Sequence, residues 1–439
     1  MHELPVVVVG AGPVGLAAAA NLVERGLRPL VLEAGPGAGA GVAQWNHVRL
    51  FSAWPELVDP AAARLLEPTG WQRPTTGYPT GAEWSREYLA PLAAVLGDRV
   101  RFGTRVVGVA RRGRDRIVDA GRESEPLTVH VLDADGTEER ITARAVIDAS
   151  GTWGTPNPLG GDGLPALGEH AAADRIAYRV PDLRNAEVAA RYTGKRVGIA
   201  GSGHSALTAL VALTGLPDTR IVWLLRRGAV GNAFGGGDAD QLPARGALGS
   251  RAREAVRAGQ VEVVTGFRTE AVERTDDGRL ALVSSEAHRV EQLDEVVVLT
   301  GFRPDLSWLS ELRLDLDPVL QAPTALAPLI DPNVHSCGTV YPHGAAELTH
   351  PEPGVYLAGM KSYGRAPTFL ALTGFEQVRS IVAQLAGDHE AASRVELTLP
   401  ETGVCGGTGV FDAVEETASG CCAPAQPQVL SLSAPNTGA

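Results

Sequence analysis

Short apolar runs closed by glycine or by a charged residue set the rhythm of this chain. Val6 to Val9 leads into Gly10, Gly12 and Gly15, then an Ala/Leu-rich stretch from about Val14 to Arg25, then Pro29 to Leu32 and Glu33. The same order returns later. Arg196 to Ala200 is followed by Gly201, Gly203 and Ala206, another Ala/Leu-rich stretch, and Ile221 to Leu225 ending in Arg226 and Arg227. Two further runs, VIDASG from Val146 and VVVLTG from Val296, end at glycine exits. Unbroken apolar strands are typical of parallel sheets covered on both faces, and here they alternate with helical segments. The pattern predicts an α/β fold with two Rossmann-like dinucleotide-binding domains. The first is expected over residues 1–155 and 326–388, with the second, 156–325, inserted into it. From about Glu390 the periodicity stops and Gly, Pro, Ala, Ser and Thr take over, so 389–439 reads as a flexible tail.

The two glycine turns carry the first chemistry. In the G-x-G-x-x-G spacing, Gly10 permits a tight turn and Gly12 lets backbone amides approach a pyrophosphate. Gly15 lets the helix pack on the strand. Glu33, at the end of the second strand, can accept hydrogen bonds from ribose hydroxyls and repels a 2′-phosphate, which suits FAD or NAD. In the second turn Gly201, Gly203, Ser205 and Ala206 form the G-x-G-x-x-A counterpart. Arg226 and Arg227 at the next strand end match a 2′-phosphate and point to NADPH, although a solvated basic edge reads the same way. The loop from Gly231 to Gly246 is too glycine-rich to pack alone and is expected to fold over the nucleotide. Two dinucleotide sites on one chain imply hydride transfer between two cofactors, FAD and NADPH.

Composition narrows the classes. At 439 residues with 44% hydrophobic positions, the chain can bury cores for two or three domains. A formal net charge of −12 without a basic block argues against nucleic acid as a partner. No apolar segment is long enough to cross a bilayer, and the start has no positive leader, so a cytoplasmic location is expected. Four cysteines make no disulfide framework, which suits a reducing compartment. No C-x-x-C or C-x-x-x-x-C pair precedes Cys405. Reduced flavin must therefore meet oxygen, a small-molecule substrate, or thiols brought from elsewhere.

GAGPVG with Glu33, GSGHSA with Arg226, and the exits DASGTW and LTGFRP resemble those of flavin-containing monooxygenases, within the bacterial flavoproteins that have two dinucleotide-binding domains. The resemblance covers residues 1 to about 388. More narrowly, WNHVRLFS, KSYGRAPTFL and the cysteine tail resemble the flavin monooxygenases encoded in bacterial arsenic-resistance gene clusters. The resemblance implies that Gly354 to Asp388 is the last FAD element, a strand and then a helix whose N-terminus lies under the flavin. Gly359 and Thr368 would be FAD contacts, with Pro367 near the first helical position. Asn46, Arg49, Lys361 and Arg365 are the implied candidates beside the ring. Arg49 reads equally as a cation near the ring's N1 and C2 oxygen and as a surface-paired arginine. Gly359-Met360 departs from the Gly-Asp of related reductases and leaves the ribityl contact to a backbone amide or to Lys361. The F-x-G-x-x-x-H run of the monooxygenases is absent, and His170 stands in a different setting.

His335, His343 and His350 with Cys337 match no compact zinc spacing, and no metal is expected there. In the tail, Cys405, Cys421 and Cys422 could supply three thiolates to a soft ion such as trivalent arsenic, and incidental cysteines would look the same. A coil of this length reaches the flavin of its own subunit, or of a neighbour in a homodimer. Three readings stay open. The first is an FAD- and NADPH-dependent monooxygenase acting with oxygen on a soft small substrate such as arsenite or an organoarsenical. The second is an NADPH-dependent reductase passing electrons to the tail cysteines. The third is a thiol metalloid-binding protein on a flavoprotein scaffold.

Overall fold

The computed structural model describes residues 3–237, 240, 242–334, 343–367 and 369–396. Thr368, all four cysteines and the tail beyond 396 lie outside the described residues. The chain opens with β1 (Val6–Val9), helix α1 (Pro13–Glu24), β2 (Pro29–Leu32) and β3 (Val100–Arg101). An antiparallel meander of β4 (Thr104–Arg111), β5 (Leu127–Asp133) and β6 (Glu138–Ala143) then leads into β7 (Ala145–Asp148).

The second unit contains β8 (Ile176–Ala177), β9 (Arg196–Ala200), α2 (His204–Leu213), β10 (Arg220–Leu224), α3 (Pro243–Arg257) and β11 (Val261–Val264). A second meander, β12 (Thr269–Arg274), β13 (Leu280–Ser284) and β14 (Arg289–Leu293), precedes β15 (Glu295–Val298). The chain then returns to add β16 (Val355–Leu357) and the long helix α4 (Ala371–Ala386) to the first unit. The parallel sheets run β16-β7-β1-β2-β3 and β11-β10-β9-β15-β8.

The unbroken apolar strands are explained by cover on both faces. Val6 and Val8 pack among residues of α1 and α4, whereas Val7 and Val9 pack against Val109, Val129 and Val131 of the first meander. The second sheet repeats the arrangement. Ile221 and Trp223 lie with Leu207 and Leu210 of α2, while Val222 and Leu224 lie with Leu280 and Leu282 of the second meander. Each alternate side chain therefore meets a different apolar layer, which keeps the middle positions of these strands apolar.

The two passages between the units run side by side. Pro156 bridges Phe302 in antiparallel fashion, Asn157 N donates to the Gly301 carbonyl, and Arg303 N donates to that of Thr155. Trp153 stacks on Phe302 with ring centroids 4.7 Å apart. Beyond this ladder Leu309 and Leu312 join Val7, Val9 and Leu357, and Leu320 and Leu326 join the α1 side of the first core. Residues 304–325 thus pack with the first sheet, which moves the end of the inserted segment from the expected 325 to about 302.

A buried ion network pins the loop between β4 and β5. Arg111 Nε donates to Glu352 Oε1 at 2.6 Å and Arg122 Nη2 to Glu352 Oε2 at 2.6 Å, while Arg313 N donates to Glu352 Oε2 at 3.1 Å. All three charged side chains are buried.

One buried acid supplies a pH test of the first unit. Asp59 accepts from Ala62 N (2.8 Å), capping the helix Pro60–Leu66, and from Asn21 Nδ2 of α1 (3.3 Å). Burial pushes its carboxyl up to about 6 from an ordinary 3.8. The folded state therefore takes up this proton before the unfolded chain does. The stability it adds is fully present below pH 3.8 and is lost as pH rises through about 6, on the order of 3 kcal/mol. Asp59→Asn keeps an acceptor for Ala62 and removes the buried charge. Compared with wild type, its melting temperature should rise at pH 7–8 and converge at pH 4. Equal differences at both pH values would refute the assignment.

Candidate functional site

The first glycine turn closes by backbone contact. A Cβ on Gly15 would lie 1.9 Å from the Gly10 carbonyl oxygen, and one on Gly10 would lie 2.9 Å from that of Ala149, just past β7. Gly12 differs: nothing lies within 4 Å of its absent Cβ. It is the N-cap of α1, with Pro13 following, no side-chain cap and no acid in the first turn. Unclaimed amides of a helix start facing open space form an anion cradle. Glu33 Oε2 accepts from Ala11 N and Oε1 from Gly35 N, both at 2.7 Å. The acid thus braces the turn itself, and each oxygen keeps a lone pair for a ribose hydroxyl.

The second turn copies the first. A Cβ on Gly201, at φ +129°, would lie 2.3 Å from the Leu299 carbonyl oxygen past β15, and Gly203 again faces open space at the N-cap of α2. Ser205 is exposed in the first turn of α2, and Ala206 is buried beneath it. Trp223 Nε1 donates to the Gly201 carbonyl at 2.8 Å and holds the turn from below. The loop after β10 is packed against this unit: Phe234 sits in its core near Trp223, and Arg245 forms a buried ion pair with Asp240 at 2.7 Å. His204, the first residue of α2, is held down to about 4 by burial and by Arg245 nearby. The helix start thus carries a neutral ring. Arg226 Nη1 donates to the Gly161 carbonyl at 3.2 Å.

The segment expected to form the last FAD element meets the first turn. Gly359, at φ +69°, lies with its missing Cβ 3.3 Å from Val14 Cγ2 of α1, and its amide donates to Gln377 Oε1 at 2.8 Å. Gln377 Nε2 also contacts Ser362 Oγ and His343 Nε2, each at 2.9 Å. Lys361 is buried, with Nζ 2.6 Å from Asp148 Oδ2, 3.1 Å from Ser150 Oγ and 4.4 Å from the Trp308 ring centre. The Gly359 amide and the Lys361 side chain, the latter one of the alternatives expected at the ribityl chain, are therefore committed inside the protein.

The other expected ring-side residues are dispersed. Arg49 donates to the Tyr78 carbonyl and lies 3.8 Å from Glu83, with its side chain 60% exposed; this geometry is that of the surface-paired reading. Arg365 Nε donates to Gln321 Oε1 at 2.9 Å on the surface. Asn46 Oδ1 accepts from Arg184 Nη2 at 3.1 Å, and Gln44 Oε1 accepts from Trp153 Nε1 at 3.0 Å. Phe51 meets His204 edge-on at 5.4 Å. The stretch from Gln44 to Phe51 thus bridges the first unit to the second. Helix α4 starts at Ala371, not beside Pro367, because Leu370 is extended at φ −112°, ψ 148°. The amide of Phe369 consequently precedes the helix, and its ring packs edge-on to Tyr363 at 5.0 Å.

Sequence reasoning missed Asp148, Ser150 and Trp308 as partners of Lys361, and Arg184 as the partner of Asn46. An acid at the end of an apolar strand, Asp148, was a usable signal, since a buried carboxylate requires a partner. Among the described residues no group of His, Cys, Asp and Glu is placed to hold a metal ion, and no helix is long and apolar enough to cross a membrane.

Residues 4–350 match the family model described as pyridine nucleotide-disulphide oxidoreductase. A ferredoxin–NADP reductase from Ignicoccus hospitalis is 26% identical over 313 residues, covering 70% of this chain and 81% of that protein. The fold matches a bacillithiol disulfide reductase from Bacillus cereus (TM-score 0.64, 19% identity, 88% of this chain and 99% of that one). It also matches a flavin-containing monooxygenase from Stenotrophomonas maltophilia (TM-score 0.55, 23% identity, 88% and 99%).

Proposed function

Since the chain belongs to the pyridine nucleotide-disulphide oxidoreductase family, we propose that it is an FAD- and NADPH-dependent monooxygenase of a soft small substrate. FAD and NADPH are its cofactors, in line with that family and with the ferredoxin–NADP reductase relative. The observation that carries the reading is the pair of cradles. Gly12 and Gly203 each face open space at an uncapped helix start, and the flanking glycines press on backbone. A chain that kept one such cradle would bind a single dinucleotide, and two make a relay.

Bound FAD supplies two-electron redox chemistry. The amides at the start of α1 hold its pyrophosphate and Glu33 its ribose, while Arg226 and Arg227 favour a 2′-phosphate at the second site. Lys361 and Asp148 keep the strand ends behind the first cradle in register as a buried pair, so Lys361 acts as a positioning residue. Oxygenation is preferred over disulfide reduction because no dithiol of C-x-x-C spacing accompanies either cradle in the sequence. NADPH then provides two electrons, one oxygen atom enters the substrate, and the other leaves as water.

Arsenite or an organoarsenical is the first substrate to try, on the strength of Cys405, Cys421 and Cys422, which lie outside the described residues. Purified, FAD-loaded protein should bleach with NADPH under argon. On admission of air it should consume NADPH, oxygen and substrate in equal amounts. Bleaching followed by electron delivery to a disulfide, with no substrate-dependent oxygen uptake, would favour the reductase reading. Failure to bleach at all would reject both.

A further inference from the structure

Arg226 and Arg227, the arginines suited to a 2′-phosphate, both follow β10, the strand after the second glycine turn. The fold brings a third to the same place. Strands β9, β10 and β11 are adjacent and parallel, so their carboxyl ends open on one edge, where doubly wound sheets bind ligands. The end of β9 carries the pyrophosphate turn and the end of β10 carries Arg226 and Arg227. Past β11 the chain folds back onto those residues. Leu225 N donates to the Val264 carbonyl (2.8 Å), Phe267 N to that of Leu225 (2.9 Å) and Gly266 N to that of Arg227 (2.6 Å). The next residue is Arg268.

Gly161 ties the two arginines together. Its carbonyl accepts from Arg226 Nη1 at 3.2 Å, and its absent Cβ would fall 2.8 Å from the Cβ of Arg268. Its amide donates to the Thr269 carbonyl at 2.8 Å, which fixes the turn against the strand that follows Arg268. Any side chain at position 161 would separate Arg226 from Arg268. The Arg268 guanidinium is half-exposed and lies 3.3 Å from Glu286 Oε1. That exposed acid orients it but is a weak competitor for it.

We propose that Arg268 is a specificity-determining residue that closes on the 2′-phosphate of NADPH from the side opposite Arg226. This rests on the reading of the second cradle as an NADPH site. One planar guanidinium gives a phosphate two parallel hydrogen bonds, and two arginines from different loops enclose it. NADH, which has a hydroxyl there, gains nothing from Arg268.

Calorimetric titration of the FAD-loaded protein with adenosine 2′,5′-bisphosphate and with 5′-AMP tests the proposal without turnover. Arg268→Ala should weaken the bisphosphate roughly 10- to 100-fold and leave 5′-AMP unchanged. Flavin reduction should show the matching rise in KM for NADPH alone. Arg268→Gln keeps the side-chain stem and gives the same result if the alanine variant is unstable. If wild type prefers the bisphosphate, Arg226→Ala abolishes that preference and both Arg268 variants keep it, the proposal is wrong while the NADPH site stands. If wild type binds both ligands alike, the NADPH reading fails and the proposal falls with it.

Discussion

Gly15→Ala should yield protein that carries no visible flavin absorbance and takes up no FAD on reconstitution. The added methyl would sit 1.9 Å from the Gly10 carbonyl oxygen, so α1 must lift off the strand that precedes it. The helix has nowhere to go, because Leu16, Ala17 and Ala18 behind the turn are fully buried. Overpacking of this kind costs about 1–3 kcal/mol, and the displaced turn no longer presents its amides together. Gly12→Ala is the informative partner. Its φ of −78° is ordinary for alanine and nothing lies within 4 Å, so the protein should melt within about 1 °C of wild type. The methyl nevertheless enters the space reserved for a pyrophosphate, and FAD affinity should fall at least tenfold in a fluorescence titration. Full FAD affinity in Gly12→Ala would show that the space is not the cradle. A stable, yellow Gly15→Ala would show that the close approach is unnecessary.

Glu352→Ala is expected to be the most destabilising single change in the first unit. It leaves Arg111 and Arg122, both buried, without the carboxylate that pairs with each of them. Removing one partner of such a network costs about 3–5 kcal/mol, since the stranded charge cannot return to water. Glu352→Gln keeps the shape and one acceptor but not the charge, and should fall between alanine and wild type. Burial opposes the charged form of Glu352, and hydrogen bonds from Arg122 and Arg111 outweigh it, holding the carboxyl below its ordinary 4.5. The stability from this group is therefore present above pH 4.5 and is lost as pH falls below it. Denaturant melts at pH 7 and pH 4 should show the penalty of both variants shrinking with acid. Equal penalties at both pH values would contradict the account.

The glycine turns were legible in the sequence because their requirement is steric and local. Only a residue without Cβ fits at Gly10, Gly15 or Gly201, and the spacing says so directly. The doubled α/β architecture was legible for a similar reason, since unbroken apolar strands have one packing solution. What stayed hidden depends on contacts distant in sequence. Ser150 and Lys361 are 211 residues apart, and nothing near either names the other. Arg268 and Arg226 both approach Gly161 because the backbone of 264–267 pairs with that of 225–227, which no periodicity reports. Leu309, Leu312 and Leu320 suit any apolar core, so the sequence alone did not assign 304–325 to the first unit. Pro367 mimicked a helix start, but the extended backbone at Leu370 delays the helix to Ala371.

The adjoining passages at Thr155–Asn157 and Gly301–Arg303 make the inserted unit a cassette. Its entrance and exit are separated by the width of one strand pair, about 5 Å, so a few residues suffice to splice one to the other. An ancestor could gain, lose or exchange the whole inserted unit at that single seam without rerouting the outer sheet.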